Sequence, residues 1–360
     1  MPLTLKTNIL IIGAGQAGLS AAYHLLQLGL MQSKGFMILD ASSRPGGAWN
    51  DRWDSLTLST VNGIHDLPGM SLVESLNGPP QALVPANQAV THYFDIYEQK
   101  MGIHVYRPTL VQVVCAQGED FRVETDRGHI AARGILNATG TWTKPYIPTY
   151  PGADRFLGKQ WHTKDYKSAS QFKGKKVVIV GAGISALQLL DEISKVTDTY
   201  WVSRKKPVFR TTPFDEEAGR AAVALVEDRV RKGLPPQSVV SVTGLPWTAQ
   251  VEDMQNRGVL ENHPIFERIT PHGVQWEDGR EEKCDVILWC TGFRSALDHL
   301  APLLKTPNND HWAMDGRLAT RVAHDHRIHL LGYGPSASTV GANRAGRAAA
   351  QEITKTLGLR

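Results

Sequence analysis

Two short glycine runs are the residues of this chain best suited to chemistry. Gly13-Ala14-Gly15-Gln16-Ala17-Gly18 follows the apolar run Ile9 to Ile12, and Gly181-Ala182-Gly183-Ile184-Ser185-Ala186 follows the run ending at Val180. Glycine at the first two positions lets the backbone turn tightly and approach a pyrophosphate. A small third residue, Gly18 or Ala186, lets the next helix lie against its strand. The unpaired N–H groups of that helix, with Ser185 in the second case, then face the phosphates. One such run binds a dinucleotide; two in a chain of 360 residues point to electron transfer between two dinucleotides.

The residues that follow the second strand of each unit differ in charge. Phe36 to Leu39 ends in Asp40, roughly 20 positions past the glycines, where a carboxylate accepts hydrogen bonds from a ribose diol and repels a 2′-phosphate. Thr199 to Val202 runs instead into Ser203-Arg204-Lys205-Lys206. Guanidinium and ammonium groups suit a 2′-phosphate, so the second unit reads as an NADPH site, with Arg210 in the same cluster. The alternative for this stretch is a solvated basic loop.

The elements that must position these residues follow from pattern. Helices are expected over Gln16 to Leu28, closed by Gly29, and over Asn87 to Lys100, Ile184 to Ile193 and Glu216 to Arg231. Strands are expected at Val111 to Cys115 and Phe121 to Thr125, with a hairpin turn at Asp126-Arg127-Gly128. Each half then repeats one device: a hairpin feeds a strand that stops at Thr-Gly, Ile135 to Ala138 before Thr139-Gly140, and Val286 to Cys290 before Thr291-Gly292. Pro145, Pro148 and Pro151 mark a linker from Trp142 to Pro151. A strand near Ile328 to Leu331 and a helix ending near Thr356, led by Gly332, Gly334 and Gly341, return the chain to its first domain. The expected fold is α/β and three-layered: two Rossmann-like dinucleotide-binding domains, the second inserted in the first. The boundaries are 1–155, 156–320 and 321–360. Phe209 to Glu267 carries no motif and is expected to contribute a substrate wall.

Composition narrows the class. Apolar residues make up 42% and charged residues 21%, which excludes a disordered chain. A net charge of +4, from 39 basic and 35 acidic residues, is too mild for a nucleic-acid binder. No leader and no apolar run of membrane length stands out, so no membrane association is expected. Cys115, Cys284 and Cys290 form no Cys-x-x-Cys pair and no metal spacing, so neither a dithiol centre nor a metal site is expected, and the setting reads as cytoplasmic. Nothing fixes an oligomeric state; a homo-oligomer stays open.

With these motifs in place the chain resembles the flavin-containing monooxygenases, above all their compact bacterial and auxin-biosynthesis forms. Phe156, Gly158, His162 and Tyr166 fit that family's identifying pattern, in which the related Baeyer–Villiger enzymes usually carry Trp at the last position. Gly46-Gly47-Ala48-Trp49 resembles its flavin-side segment, and Ala138-Thr139-Gly140 and Cys290-Thr291-Gly292 its two Ala-Thr-Gly strand ends, with Cys290 replacing Ala. The resemblance implies FAD in the first domain, held by Gly13, Gly15, Gly18, Asp40, Gly46, Gly47, Trp49, Thr139 and Gly140. It implies NADPH in the second, held by Gly181, Gly183, Ser185, Arg204, Lys205, Thr291 and Gly292. The implied reaction inserts one atom of O2 into a small organic substrate through a flavin hydroperoxide. Asn62 lies near the place of an active-site Asn in microsomal members, although Asn62-Gly63 equally reads as a surface turn. His162 alone reads as a general base, a nucleotide contact or a buried structural residue; the family pattern implies that it positions NADPH or the linker. The rival readings are a reductase passing electrons to a quinone, metal or protein, and a redox sensor without turnover.

Overall fold

A computed structural model describes residues 5–61, 63–76, 78, 81–211, 216–236, 244–304 and 312–360. The chain divides into two compact units. Unit 1 comprises Met1–Thr141, Val223–Ser238 and Ser295–Arg360; unit 2 comprises Trp142–Ala222 and Val239–Arg294.

Unit 1 opens with β1 (Leu5–Ile12), α1 (Gln16–Gln27) and β2 (Phe36–Leu39). Helix α2 (Ala86–Lys100), β3 (Val111–Gln117), β4 (Asp120–Thr125) and β5 (Gly128–Asn137) follow. Strand β1 lies between β2 and β5, parallel to both. Its side chains alternate: Ile9 and Ile11 enter a core built with α1, α2 and the last helix, while Leu10 and Ile12 enter a second core under β3 and β4. Such two-faced burial explains why the run is continuously apolar. Strand β5 pairs antiparallel with β4 over Gly128–Ala132 and parallel with β1 over Ile130–Asn137, so the expected hairpin and the expected strand are one element.

Unit 2 carries β6 (Lys159–His162), β7 (Val177–Val180), α3 (Ile184–Ser194), β8 (Thr199–Ser203) and β9 (Phe209–Arg210). Helix α4 (Glu216–Arg231) is divided, its residues from Val223 onward belonging to unit 1, and β10 (Leu245–Pro246) and α5 (Ala249–Asn256) come next in unit 2. Strands β11 (Asn262–Pro264), β12 (Arg268–Thr270), β13 (Gly273–Gln275), β14 (Glu281–Lys283) and β15 (Val286–Trp289) complete it. The main sheet is parallel, in the order β11-β8-β7-β15-β6, and β12, β13 and β14 form a separate antiparallel sheet. Sequence pattern did not mark β6 and β11 as strands.

The chain then returns to unit 1 with β16 (Met314–Asp315), β17 (Arg321–Val322), β18 (Asp325–Leu330) and α6 (Thr339–Thr356). Strand β18 pairs in parallel with β5, giving the order β16-β17-β18-β5-β1-β2. The dividing points differ from the expected 155/156 and 320/321 for local reasons. Trp142 stacks on Phe293 at 4.9 Å and Tyr146 N donates to Gly292 O at 3.0 Å, which joins the proline linker to unit 2. Ala296 N donates to Gly140 O at 2.9 Å, which brings the chain back to unit 1 at Ser295. Among the described residues no helix is long and apolar enough to cross a membrane.

Helix α6 packs on α1 through a glycine. A Cβ on Gly346 would lie 2.7 Å from Ser20 Oγ and 2.8 Å from Ala21 N. Alanine gains about 1 kcal/mol of helix propensity, but overpacking against backbone costs about 1–3 kcal/mol. We expect Gly346→Ala to lose about 1 kcal/mol net, read as a lower urea midpoint at unchanged slope; a higher midpoint would show that the helices separate freely.

Two candidate dinucleotide sites

The same backbone construction occurs in both units. Gly13 N donates to Leu39 O at 2.7 Å and Ala138 N to Ile12 O at 2.7 Å; Gly181 N donates to Val202 O at 2.9 Å and Cys290 N to Val180 O at 2.8 Å. Gly13, at φ +100°, and Gly181, at φ +141°, press on the strand end beside them. A Cβ would come within 2.5 Å of Ala138 O in the first case and 2.3 Å of Cys290 O in the second. A Cβ on Gly18 would reach 1.9 Å from Gly13 O, while Ala186 stands buried at the corresponding place in unit 2. Gly15 and Gly183 are the opposite: no atom lies within 4 Å of their Cβ positions. Each loop is thus closed toward its sheet and open at the helix N-terminus, a cradle that fits a pyrophosphate. Ser185 is the second residue of α3.

In unit 1, Asp40 is buried at the end of β2. Its Oδ2 accepts from Ala14 N at 2.6 Å and its Oδ1 from Ser42 N at 2.7 Å. Each oxygen keeps a further lone pair for a ribose hydroxyl. Thr109 N donates to Asp40 O, and a buried bidentate pair, Arg107 to Glu98 at 2.7 Å on both nitrogens, ties that segment to α2. Gly47 abuts the loop, its Cβ position 3.1 Å from Gly15 Cα. Gly46 packs on Thr91 of α2, and Asn50 Nδ2 donates to Pro45 O at 3.0 Å. Trp49, half-buried, leans on the α1–α2 core. Gln16 Nε2 donates to Asn343 Oδ1 at 2.9 Å, joining the N-terminal ends of α1 and α6. Gln16, Asn50, Glu98 and Arg107 were not expected; an amide or an ion pair far apart in sequence leaves no local pattern.

The two Thr-Gly ends are held by their own hydroxyls. Thr139 Oγ1 donates to Ala296 O at 2.7 Å and accepts from Asn137 Nδ2 at 3.0 Å, while Asn137 Oδ1 lies 2.7 Å from His299 Nε2. Thr291 Oγ1 donates to Tyr146 O. Both threonines therefore anchor backbone. The open groups are the glycines: Gly140, at φ +64°, and Gly292, at φ +79°, have nothing within 4 Å of a Cβ.

The pattern from Phe156 to Tyr166 forms a clasp. A Cβ on Gly158 would strike Asp285 O at 2.3 Å, which lets β6 close on β15. Lys164 N donates to His162 Nδ1 at 3.2 Å, so the ring proton sits on Nε2 and is given to Gly292 O at 2.9 Å. The ring is buried and desolvation pushes its pKa down, keeping it neutral. Tyr166 OH donates to Glu192 of α3 at 2.5 Å. His162 thus spends both nitrogens on backbone beside Gly292. Asn62 lies outside the described residues.

At the end of β8 the register places Ser203 where unit 1 has Asp40, since Val180 pairs with Val202 as Ile12 pairs with Leu39. Ser203 is buried; Arg204 and Lys205 are exposed and make no ion pair with any described residue. The three cysteines are free, and burial pushes the thiols of Cys284 and Cys290 up to about 12, which leaves them as inert thiols.

Two glycine cradles, one ending in an acid and the other in bases, define a two-dinucleotide oxidoreductase. The profile of a family described as pyridine nucleotide-disulphide oxidoreductase matches residues 10–318. A flavin-containing monooxygenase of known structure from Stenotrophomonas maltophilia is 34% identical, with 98% of this chain and 99% of that one covered and a TM-score of 0.80. An uncharacterized CzcO-like oxidoreductase of Geobacillus kaustophilus is 29% identical over 297 residues, 80% of this chain and 81% of its own. Indole-3-pyruvate monooxygenase YUCCA1 of Oryza sativa subsp. japonica is 26% identical over 318 residues, 79% of this chain and 76% of its own. The chain belongs to the pyridine nucleotide-disulphide oxidoreductases and, among them, to the flavin-containing-monooxygenase-like proteins.

Burial holds the imidazole of His299 at about 4, below its ordinary 6.5. The unfolded chain therefore binds the proton first as pH falls. This group's contribution is full above pH 6.5 and is lost as pH drops toward 4. We expect wild-type stability to decline across that window, and His299→Gln to flatten the decline by on the order of 3 kcal/mol. Denaturation at stepped pH measures it; equal slopes in both proteins would show that His299 titrates freely in the folded chain.

Proposed function

We propose that this chain is an FAD-dependent monooxygenase that uses NADPH, with FAD on the Asp40 cradle of unit 1 and NADPH on the Arg204 cradle of unit 2. The observation that carries the assignment is the exchange of Asp40 for Ser203 at one register position, followed by two exposed cations. A carboxylate beside the ribose suits a diol, whereas a small neutral residue with a guanidinium next to it leaves room and charge for a 2′-phosphate.

When bound, the flavin takes an electron pair from NADPH and activates O2, so that one oxygen atom enters the substrate and the other leaves as water. The chain's own residues bind and orient. The first turns of α1 and α3 offer N–H groups to the pyrophosphates. Asp40 holds a ribose. Gly47, Gly140 and Gly292 let the backbone approach the nucleotides without a side chain between. Trp49, packed on the unit 1 core, offers an apolar ring to the flavin side of the site. His162 is a positioning residue that fixes Gly292. The free cysteines support a reduced, cytoplasmic setting.

Turnover with amines, thioethers, ketones and 2-oxo acids, with NADPH, O2 and hydrogen peroxide measured together, tests the reading. Oxygenated product formed in step with NADPH use supports it. Peroxide equal to NADPH for every compound would favour the reductase. Flavin that never bleaches with NADPH would favour the sensor.

Two substitutions separate the cradles. Arg204→Ala is expected to raise KM for NADPH about 10- to 100-fold, with KM for NADH little changed. Asp40→Ala is expected to weaken FAD retention by a similar factor with folding intact, read by gel filtration and circular dichroism. An Arg204→Ala protein with unaltered KM for NADPH would remove unit 2 from this role.

A further inference from the structure

The hydroxyl of Ser203 lies 2.7 Å from Lys205 O and 2.8 Å from the side-chain amide oxygen of Asn262, whose amide nitrogen is buried without a partner. A serine hydroxyl has one proton to give. Given to Asn262, it leaves both the Asn262 nitrogen and the Lys205 carbonyl short of a bond. With the amide turned over, its nitrogen donates to Ser203 Oγ and the hydroxyl proton goes to Lys205 O. This order leaves only a carbonyl oxygen unserved, which costs less than a buried N–H. The turn Ser203–Lys205 is then closed, with Arg204 at its tip.

Asn262 is well placed to hold that turn. Strand β11 pairs in register with β8, setting Asn262 opposite Trp201 and Pro264 opposite Ser203. The next residue, His263, stacks on Tyr200 with ring centroids 4.1 Å apart and planes 10° apart. Trp201 Nε1 donates to Gly181 O at 2.6 Å, so the same strand also grips the glycine loop.

We propose that Asn262 is the residue that sets pyridine-nucleotide choice from behind the site: its amide braces Ser203, Ser203 closes the turn, and the turn holds Arg204 and Lys205 toward a 2′-phosphate. This rests on the assignment of NADPH to unit 2. Asn262 is a positioning residue; it touches Ser203 and carries no charge of its own. Aspartate at 262 cannot donate to Ser203 and adds a negative charge behind the phosphate site, so it reverses both effects.

The test uses the FAD-loaded full chain and two probes, adenosine 2′,5′-bisphosphate and 5′-AMP, with Kd from calorimetry. Asn262→Ala is expected to weaken the bisphosphate about tenfold and 5′-AMP less than twofold. Ser203→Ala is expected to do the same, and the double variant to lose no more than either single one, as for two members of one chain of hydrogen bonds. Asn262→Asp, close to isosteric and so a check on folding, is expected to weaken the bisphosphate further and 5′-AMP little. In turnover, KM for NADPH rises while kcat holds. Equal weakening of both probes, or additive losses in the double variant, overturns the proposal by showing a general brace of β11 or two separate contacts. Discrimination that Arg204→Ala abolishes and Asn262→Ala leaves intact overturns this inference alone. A wild-type chain that binds the two probes equally overturns the NADPH assignment with it.

Discussion

Gly13 stands so close to the carbonyl of Ala138 that a Cβ would come within 2.5 Å of its oxygen, and Gly181 bears on Cys290 at 2.3 Å. Both glycines also sit at positive φ, where an L side chain is strained. The contact does two things at once. It lets the phosphate loop fold back over the end of the neighbouring strand, and it fixes where that strand stops. The Thr-Gly that follows is then beside the loop in each unit, with its threonine hydroxyl turned to a backbone carbonyl and its glycine left open. A side chain at either glycine would push loop and strand apart, and the helix N-terminus would lose its alignment with the remaining site.

On this shared frame a single register position carries the difference between the units. Asp40 receives two backbone N–H groups, so its carboxylate is held in one orientation by Ala14 and Ser42. Ser203, at the matching place, is held by an amide and spends its proton locally. Exchanging a fixed anion for a small hydroxyl changes the local field by a full charge, and Arg204 and Lys205 move it further the same way. Arg204 and Lys205 are exposed, so water screens them and each contributes modestly, on the order of 1 kcal/mol or less. The proposed assignment of the two nucleotides rests on this difference in charge.

Most of the frame was legible because its causes are local. Ile9 to Ile12 is apolar on both faces and sits between two cores; the glycines follow at fixed spacing; Asp40 ends the next strand. Helices α1, α2, α3 and α4 appear within two residues of the pattern that announced them. What was not legible depends on partners distant in sequence. Strand β11 is three residues of Asn-His-Pro with no alternation, and it is a strand only because β8 lies beside it. Asn262 meets Ser203 across 59 positions and His299 meets Asn137 across 162. The prolines mark a linker from Trp142 to Pro151 and the boundary was expected after it, at 155/156, but Trp142 and Tyr146 are tied to Phe293 and Gly292, so the chain changes unit at the linker's start.

The clasp from Phe156 to Tyr166 shows why so few side chains here look reactive. Gly158 admits β6 to β15, His162 joins two backbone groups through a neutral ring, and Tyr166 reaches α3. A histidine with both nitrogens committed cannot also shuttle a proton without giving up Gly292. The two buried thiols are held far from ionisation, and among the described residues no His, Cys, Asp and Glu group together as metal ligands. Asp40, Thr139, Thr291 and His162 are each spent on holding loop backbone in place, which suits a protein whose bound nucleotides carry the redox chemistry.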